Sequence, residues 1–302
     1  MTTVLTEADG TTAGTGTVLQ ANGVTMRFGG LTAVDSVDLN VGKQEIVGLI
    51  GPNGAGKTTF FNCLTGLYVP TAGEVRYQGK ALPAKPYRVT QAGIARTFQN
   101  IRLFANMTVL ENVMVGRHTR IREGLWSAIG RGPRYRAAER DCQDKAAELL
   151  DFLGLGQYSS SLARNLPYGD QRKLEIARAM ASDPGLILLD EPTAGMNPQE
   201  TLATKETVFK IRERGLAVVV IEHDMRFIFG LCDRVAVLVQ GRKLVEGTPT
   251  QVQADERVIA AYLGTPFGAD PAQTRDDADS VAPSDGAALE SQQTASDEGT
   301  AI

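Results

Sequence analysis

Nine consecutive residues, Gly51-Pro-Asn-Gly-Ala-Gly-Lys-Thr-Thr59, constrain this chain more than any other stretch. They fit the spacing GxxxxGK[ST], with Gly51, Gly56, Lys57 and Thr58 at the fixed positions. A short apolar run, Glu45–Ile50, comes before them, and a helical pattern starts at Lys57. A chain that passes from strand to helix through such a loop must build an α/β layer around it. Glycines let the backbone turn its N–H groups inward, and the helix start adds partial positive charge, so the loop Gly51, Pro52, Asn53, Gly54, Ala55, Gly56 is suited to a polyphosphate. Lys57 is expected to reach the β- and γ-phosphates, Thr58 to offer a hydroxyl to Mg²⁺, and Thr59 to complete the cradle. The motif promises a nucleoside triphosphate such as ATP without choosing among the enzymes that use one.

Strand-like and helix-like segments alternate on either side. Val18–Thr25 and Val34–Leu39 read as an antiparallel pair around the turn at Gly29-Gly30. Residues 138–153 place Ala138, Cys142, Ala146, Leu149, Leu150 and Leu153 at helical spacing. Gly185–Leu189 and Ala217–Ile221 read as buried strands of a parallel sheet, Glu200–Arg214 as a helix, and Val235–Leu238 with Lys243–Glu246 as a late hairpin around Gln240-Gly241. The expected fold is α/β, a P-loop core with an antiparallel β subdomain and a helical insert across about 100–165.

Leu186-Ile-Leu-Leu-Asp-Glu191 ends an apolar strand in two carboxylates. Asp190 is placed to hold Mg²⁺ through water, and Glu191 to polarise an attacking water as general base. Other segments fall in a fixed order along the chain. Thr97-Phe-Gln-Asn100 precedes Leu166-Pro-Tyr-Gly-Asp-Gln-Arg172, which leads into a helix expected over Lys173–Ala181. Ala194-Gly-Met-Asn197 and Ile221-Glu-His-Asp224 follow.

As an ordered set over about residues 18–264, these segments resemble the ABC ATPase family. The resemblance implies that Gln99 touches Mg²⁺ and senses a membrane partner, that His223 contacts the γ-phosphate, and that Phe28 stacks on adenine. It implies that Gly169, in the signature segment, faces the nucleotide of a second ATPase subunit. Taken alone, Gln99 is an ordinary loop glutamine, His223 an ordinary structural histidine and Phe28 a core aromatic; position within the set gives them their roles. Two residues depart from the family pattern. Pro167 stands where the signature has a serine, with neither hydroxyl nor N–H to offer, and Asn197 replaces the usual aspartate. Lys57, Asp190, Glu191 and His223 are all retained, which implies an active ATPase.

Arg27–Ala33, Ala95–Phe104, Glu191–Pro198, Ile221–Met225 and Val258–Gly264 look closest to the ATP-binding subunits of branched-chain amino-acid importers, and to the longer of their two ATPases. Urea or amide importers and lipopolysaccharide exporters stay open as alternatives, as does a mechanical or regulatory ABC protein. The implied partners are a second ATPase subunit, identical or not, permease subunits and, indirectly, a solute-binding protein, which puts the chain at the cytoplasmic face of the membrane.

Composition narrows the field further. No apolar run approaches the roughly 20 residues of a spanning helix, and the start carries no basic, apolar leader. Cys63, Cys142 and Cys232 form no CxxC pair, consistent with a reducing compartment. From Thr265 onward eight acidic residues face Arg275 alone, so that segment carries −7 of a net −4 and the remainder +3. The body therefore lacks the basic excess of a nucleic-acid binder, and no nucleic acid is expected. Residues 1–17 and 265–302 read as disordered extensions. Trp126 sits among Arg122, Arg131, Arg134 and Arg136 as an amphipathic surface or a contact, and His118 reads as surface.

Overall fold

The computed structural model describes residues 16–117 and 133–263. His118, Arg122, Trp126, Arg131, the side chain of Arg134 and most of both expected extensions lie outside the described residues. Two sheets organise the chain. Strands β1 (Thr17–Phe28), β2 (Leu31–Gly42), β4 (Ala72–Tyr77) and β5 (Lys80–Ala81) form an antiparallel sheet in the order β2-β1-β4-β5. Strands β3 (Ile46–Ile50), β6 (Ile94–Arg96), β7 (Leu186–Asp190), β8 (Ala217–Ile221), β9 (Arg234–Val239) and β10 (Arg242–Gly247) form the second, ordered β10-β9-β3-β8-β7-β6.

In the larger sheet every pairing is parallel except β9 with β10. The sequences IVGLI, LILLD and AVVVI are buried along their whole length, as strands covered on both faces require. Their apolar side chains divide between two cores. Ile46, Ile50, Ile187, Leu189, Val218 and Val220 face one, which continues into the helices. Val47, Leu49, Leu186, Leu188, Val219 and Ile221 face the other, closed by the antiparallel sheet and by Phe60, Phe61 and Leu64 of helix α1 (Lys57–Leu64).

The pair read around Gly29-Gly30 is present but longer than expected, because register shifts along β1 absorb its irregular burial pattern. Helices α2 (Pro86–Ala92), α3 (Val109–Arg117) and α4 (Pro133–Phe152) follow, the last two falling within the expected insert. Helix α5 begins at Tyr168 and runs to Met180, five residues earlier than the expected start at Lys173. Pro167 causes the difference. Its fixed φ of −55° suits the N-cap, and its carbonyl accepts from the N–H groups of Asp170 and Gln171. The signature residues are thus the helix's own first turns. Helices α6 (Pro198–Glu213), α7 (Met225–Leu231), α8 (Pro249–Gln253) and α9 (Glu256–Leu263) complete the chain. No helix among the described residues is long and apolar enough to cross a membrane.

Candidate functional site

The site lies beyond the C-terminal ends of β3, β7 and β8, where an open parallel sheet places its ligands. The glycine loop leaves β3 at Gly51, whose φ of 150° and closeness to Leu238 exclude a side chain: a Cβ there would lie 2.0 Å from the Leu238 carbonyl. Gly56 caps α1 in the left-handed region, with the Ala33 carbonyl 2.3 Å from where its Cβ would be. Only glycine permits this descent into α1. Asn53, Gly54 and Thr58 are exposed at the top of the loop, with Pro52, Gly56 and Thr59 half-buried, while Ala55 is buried beneath them.

Lys57 is folded back into the loop. Its Nζ donates to the carbonyls of Gly51 at 2.7 Å and Pro52 at 2.9 Å, so the amine is held against the loop's own backbone. Burial lowers its pKa, and the negative charge of Glu191 works in the opposite direction.

Glu191 follows directly on β7 and adopts a φ of 47°, an uncommon backbone state outside glycine. Its N–H is anchored on the Ile221 carbonyl at 2.9 Å, which fixes the turn against β8. Both carboxylate oxygens are engaged. Oε1 lies 2.8 Å from His223 Nε2, and Oε2 accepts from Gln99 Nε2 at 2.8 Å. Residues read as candidates from three distant segments therefore meet on one carboxylate. A carboxylate offers about four lone-pair sites, so Glu191 keeps room for a water.

Asp190 is buried at the end of β7, and its Oδ2 accepts from Arg96 at 2.7 Å. Among the described residues no group of three or more His, Cys, Asp or Glu could hold a metal by itself. The candidate donors are hard oxygens: the exposed Thr58 hydroxyl, the Gln99 amide oxygen left over after its NH₂ bonds Glu191, and the Asp190 oxygen that Arg96 does not occupy. That sparse all-oxygen set fits Mg²⁺, which keeps water and takes phosphate oxygens for its remaining positions.

Other participants were not singled out from the sequence. Arg172 of α5 donates to the Phe98 carbonyl at 2.8 Å and also to the Gln99 carbonyl, while Glu175 accepts from the Phe98 N–H at 3.2 Å. The two side chains pair with each other at 3.2 Å and are buried. Burial pushes the Glu175 carboxyl upward, against the hydrogen bond from Phe98 and the charges of Arg172 and Arg178. Their spacing of three residues on a helix was a readable sign of a pair. Glu222 accepts from the Thr193 N–H at 2.7 Å, the Thr193 hydroxyl at 2.5 Å and the His223 N–H at 3.0 Å. It joins the segment after Glu191 to the one carrying His223.

Phe28 is exposed at the rim and meets Tyr68 edge-on, ring centroids 5.3 Å apart. Gly169 is buried in the first turn of α5, where N–H groups lack helical acceptors, and a Cβ there would come within 3.1 Å of Glu200 Oε1. Asn197 caps α6 in a reciprocal box: its side chain accepts from the Gln199 and Glu200 N–H groups while Glu200 accepts from its own N–H.

A family model described as ABC transporter matches residues 34–194, and one described as branched-chain amino acid ATP-binding cassette transporter matches residues 242–268. Over 249 residues the chain is 47% identical to the high-affinity branched-chain amino acid transport ATP-binding protein LivG of Escherichia coli K12, covering 82% of this chain and 98% of LivG. It is 44% identical to BraF of Pseudomonas aeruginosa, described in the same words, with the same coverage. Among solved structures, a nucleotide-free ATP-binding cassette from an ABC transporter superposes with a TM-score of 0.72 at 29% identity, over 82% of this chain and 98% of that one.

Proposed function

The chain belongs to the ABC transporter ATP-binding family, and on that premise we propose that it is the ATP-hydrolysing subunit of an importer of branched-chain amino acids. The observation that carries the hydrolytic part is the clasp on Glu191 by Gln99 and His223 beside the phosphate loop. The match of a branched-chain family model to the C-terminal segment, with the likeness to LivG and BraF, supports the transported class.

In this reading the triphosphate settles on the loop N–H groups from Gly51 to Thr59, and the adenine lies by Phe28. Lys57 turns from the Gly51 and Pro52 carbonyls to the β- and γ-phosphates. The arriving charge favours its protonated form and offsets the depression caused by burial. Thr58, Gln99 and Asp190 would hold Mg²⁺. When bound, that ion neutralises phosphate charge. Glu191 accepts a hydrogen bond from the attacking water and takes its proton as the water oxygen bonds to the γ-phosphorus. The bond from that phosphorus to the β–γ bridging oxygen breaks, releasing ADP and phosphate. His223 holds one Glu191 oxygen and would also meet the γ-phosphate.

Two such chains, or this one and a related subunit, would close around two ATP molecules, each also touching the first turn of the opposite α5 at Gly169. Pro167 presents no donor there, so this turn works through the Gly169 backbone. Association with the membrane comes through permease subunits, docked on the groove that Phe104 and Val115 line between α3, α5 and β6.

Glu191→Gln tests the assignment. The variant should bind ATP as tightly as the wild type and lose nearly all turnover; wild-type hydrolysis would remove Glu191 as the base.

A further inference from the structure

Arg96 closes β6, and it touches each part of the site that has to be aligned. Its side chain is 8% exposed and one terminal nitrogen donates to Asp190 Oδ2 at 2.7 Å. The other donates to Asn62 Oδ1 at 2.6 Å and to Thr65 Oγ1 at 3.4 Å, both on or just beyond α1, the helix that begins with Lys57 and Thr58. The guanidinium carbon lies 5.5 Å from the Phe61 ring and 5.2 Å from the ring of Phe98, the residue before Gln99. One planar fork thus spans the helix of the phosphate loop, the strand that delivers Asp190 and the segment that delivers Gln99. A lysine carries its donors on a single nitrogen and lacks the planar fork whose two ends reach these partners in fixed directions.

Such a pair is poor material for stability alone, because desolvating both charges costs about as much as their attraction returns. Its geometry is more specific than neutralisation needs. Arg96 occupies Oδ2 and leaves the other Asp190 oxygen, while Asn62 fixes the plane of the fork. The same residue lines a cavity of about 300 Å³ with Phe104, Val115, Gly116, Glu175 and Arg178. Its Nε, buried, has no hydrogen-bond partner. The wall of the groove and the support of Asp190 are therefore one side chain.

We propose that Arg96 is a positioning residue for Asp190: it sets the orientation in which that carboxylate serves the metal–nucleotide, and it places this setting in contact with the groove. The proposal rests on the reading of Asp190 as the metal carboxylate.

The test measures binding of a fluorescent ATP analogue to the full chain by anisotropy, in EDTA and in Mg²⁺, for wild type, Arg96→Met, Asp190→Asn and the double variant. In EDTA, Arg96→Met should bind like the wild type, because the loop and Lys57 are untouched. The gain in affinity on adding Mg²⁺ should fall about tenfold in Arg96→Met, the scale seen when a ligand loses its outer support. Added to Asp190→Asn, the same change should have no further effect on that gain. The double variant buries neither charge alone, so this comparison decides the matter even where Arg96→Met by itself aggregates. A wild-type Mg²⁺ response in Arg96→Met overturns the proposal, as does a further loss in the Asp190→Asn background. An unchanged response in Asp190→Asn alone would instead overturn the assignment of Asp190 to the metal, and the proposal with it.

Discussion

Glu191 and His223 stand 2.8 Å apart, carboxylate Oε1 to imidazole Nε2, at the ends of two neighbouring parallel strands. Because β7 pairs with β8 in register, Asp190 opposite Ile221, each strand hands its next residues to the same spot. With the Glu191 carboxylate ionised, Nε2 carries the proton and donates.

Removing that donor should change chemistry more than binding. For His223→Ala we expect ATP affinity close to wild type and kcat lower by about 100-fold, within the range for a positioned proton-handling group. Steady-state hydrolysis with a parallel binding titration gives the split; a loss of affinity with kcat unchanged would place His223 in ground-state binding.

Glu222 is a buried carboxylate whose partners are all neutral donors. Glu222→Leu would strand the Thr193 N–H, the Thr193 hydroxyl and the His223 N–H together. We expect a loss of about 3 kcal/mol in urea unfolding and a fall in kcat, since two loops of the site lose their tie. Glu222→Gln keeps an acceptor and should recover most of the stability.

The Asn197 cap gives a milder effect. Asn197→Ala removes the acceptor for two N–H groups and should cost about 1 kcal/mol. Asn197→Asp should be neutral or slightly stabilising, the carboxylate facing the positive end of α6. Matched chemical denaturation curves for the three proteins read this directly.

Thiol chemistry checks the cores. Burial pushes the Cys63 thiol up to about 11 and raises those of Cys142 and Cys232 as well. A raised thiol stays protonated until the pH passes its shifted value, so native protein should react slowly with a disulfide reagent at both pH 7 and pH 9. Unfolding in urea should then release all three cysteines. Rapid labelling of one thiol in the native state would show its core open.

The parts of the site legible in the sequence were those whose chemistry is written in consecutive residues. The glycine loop, Asp190-Glu191 and Ile221–Asp224 each carry strand, turn and functional group within a few positions. The α/β class was legible for the same reason, through uninterrupted apolar strands. Strand β4 and helix α2 went unread because they expose most of their residues and have no clean period. Arg96 and Glu222 went unread for a different reason. Their partners are 94 and 29 residues away, and a polar residue at a strand end looks alike whether it meets solvent or an ion pair. Helix α5 starts ahead of Lys173 because Pro167, which lacks the serine's hydroxyl, is also a good residue with which to begin a helix.

The grip of Arg172 on the Phe98 and Gln99 carbonyls has a mechanical consequence. Helix α5 is a stiff rod of 13 residues, about 20 Å long. Its first turn carries Tyr168 and Gly169, and one turn later Arg172 holds the strand of backbone from which Gln99 reaches Glu191. A push on the rod's exposed tip would therefore reach Glu191 through the Gln99 backbone and the one side chain that spans from it to the carboxylate. Two such rods facing each other would act as crossed levers, each timing the reaction in its own chain by what it meets on the other.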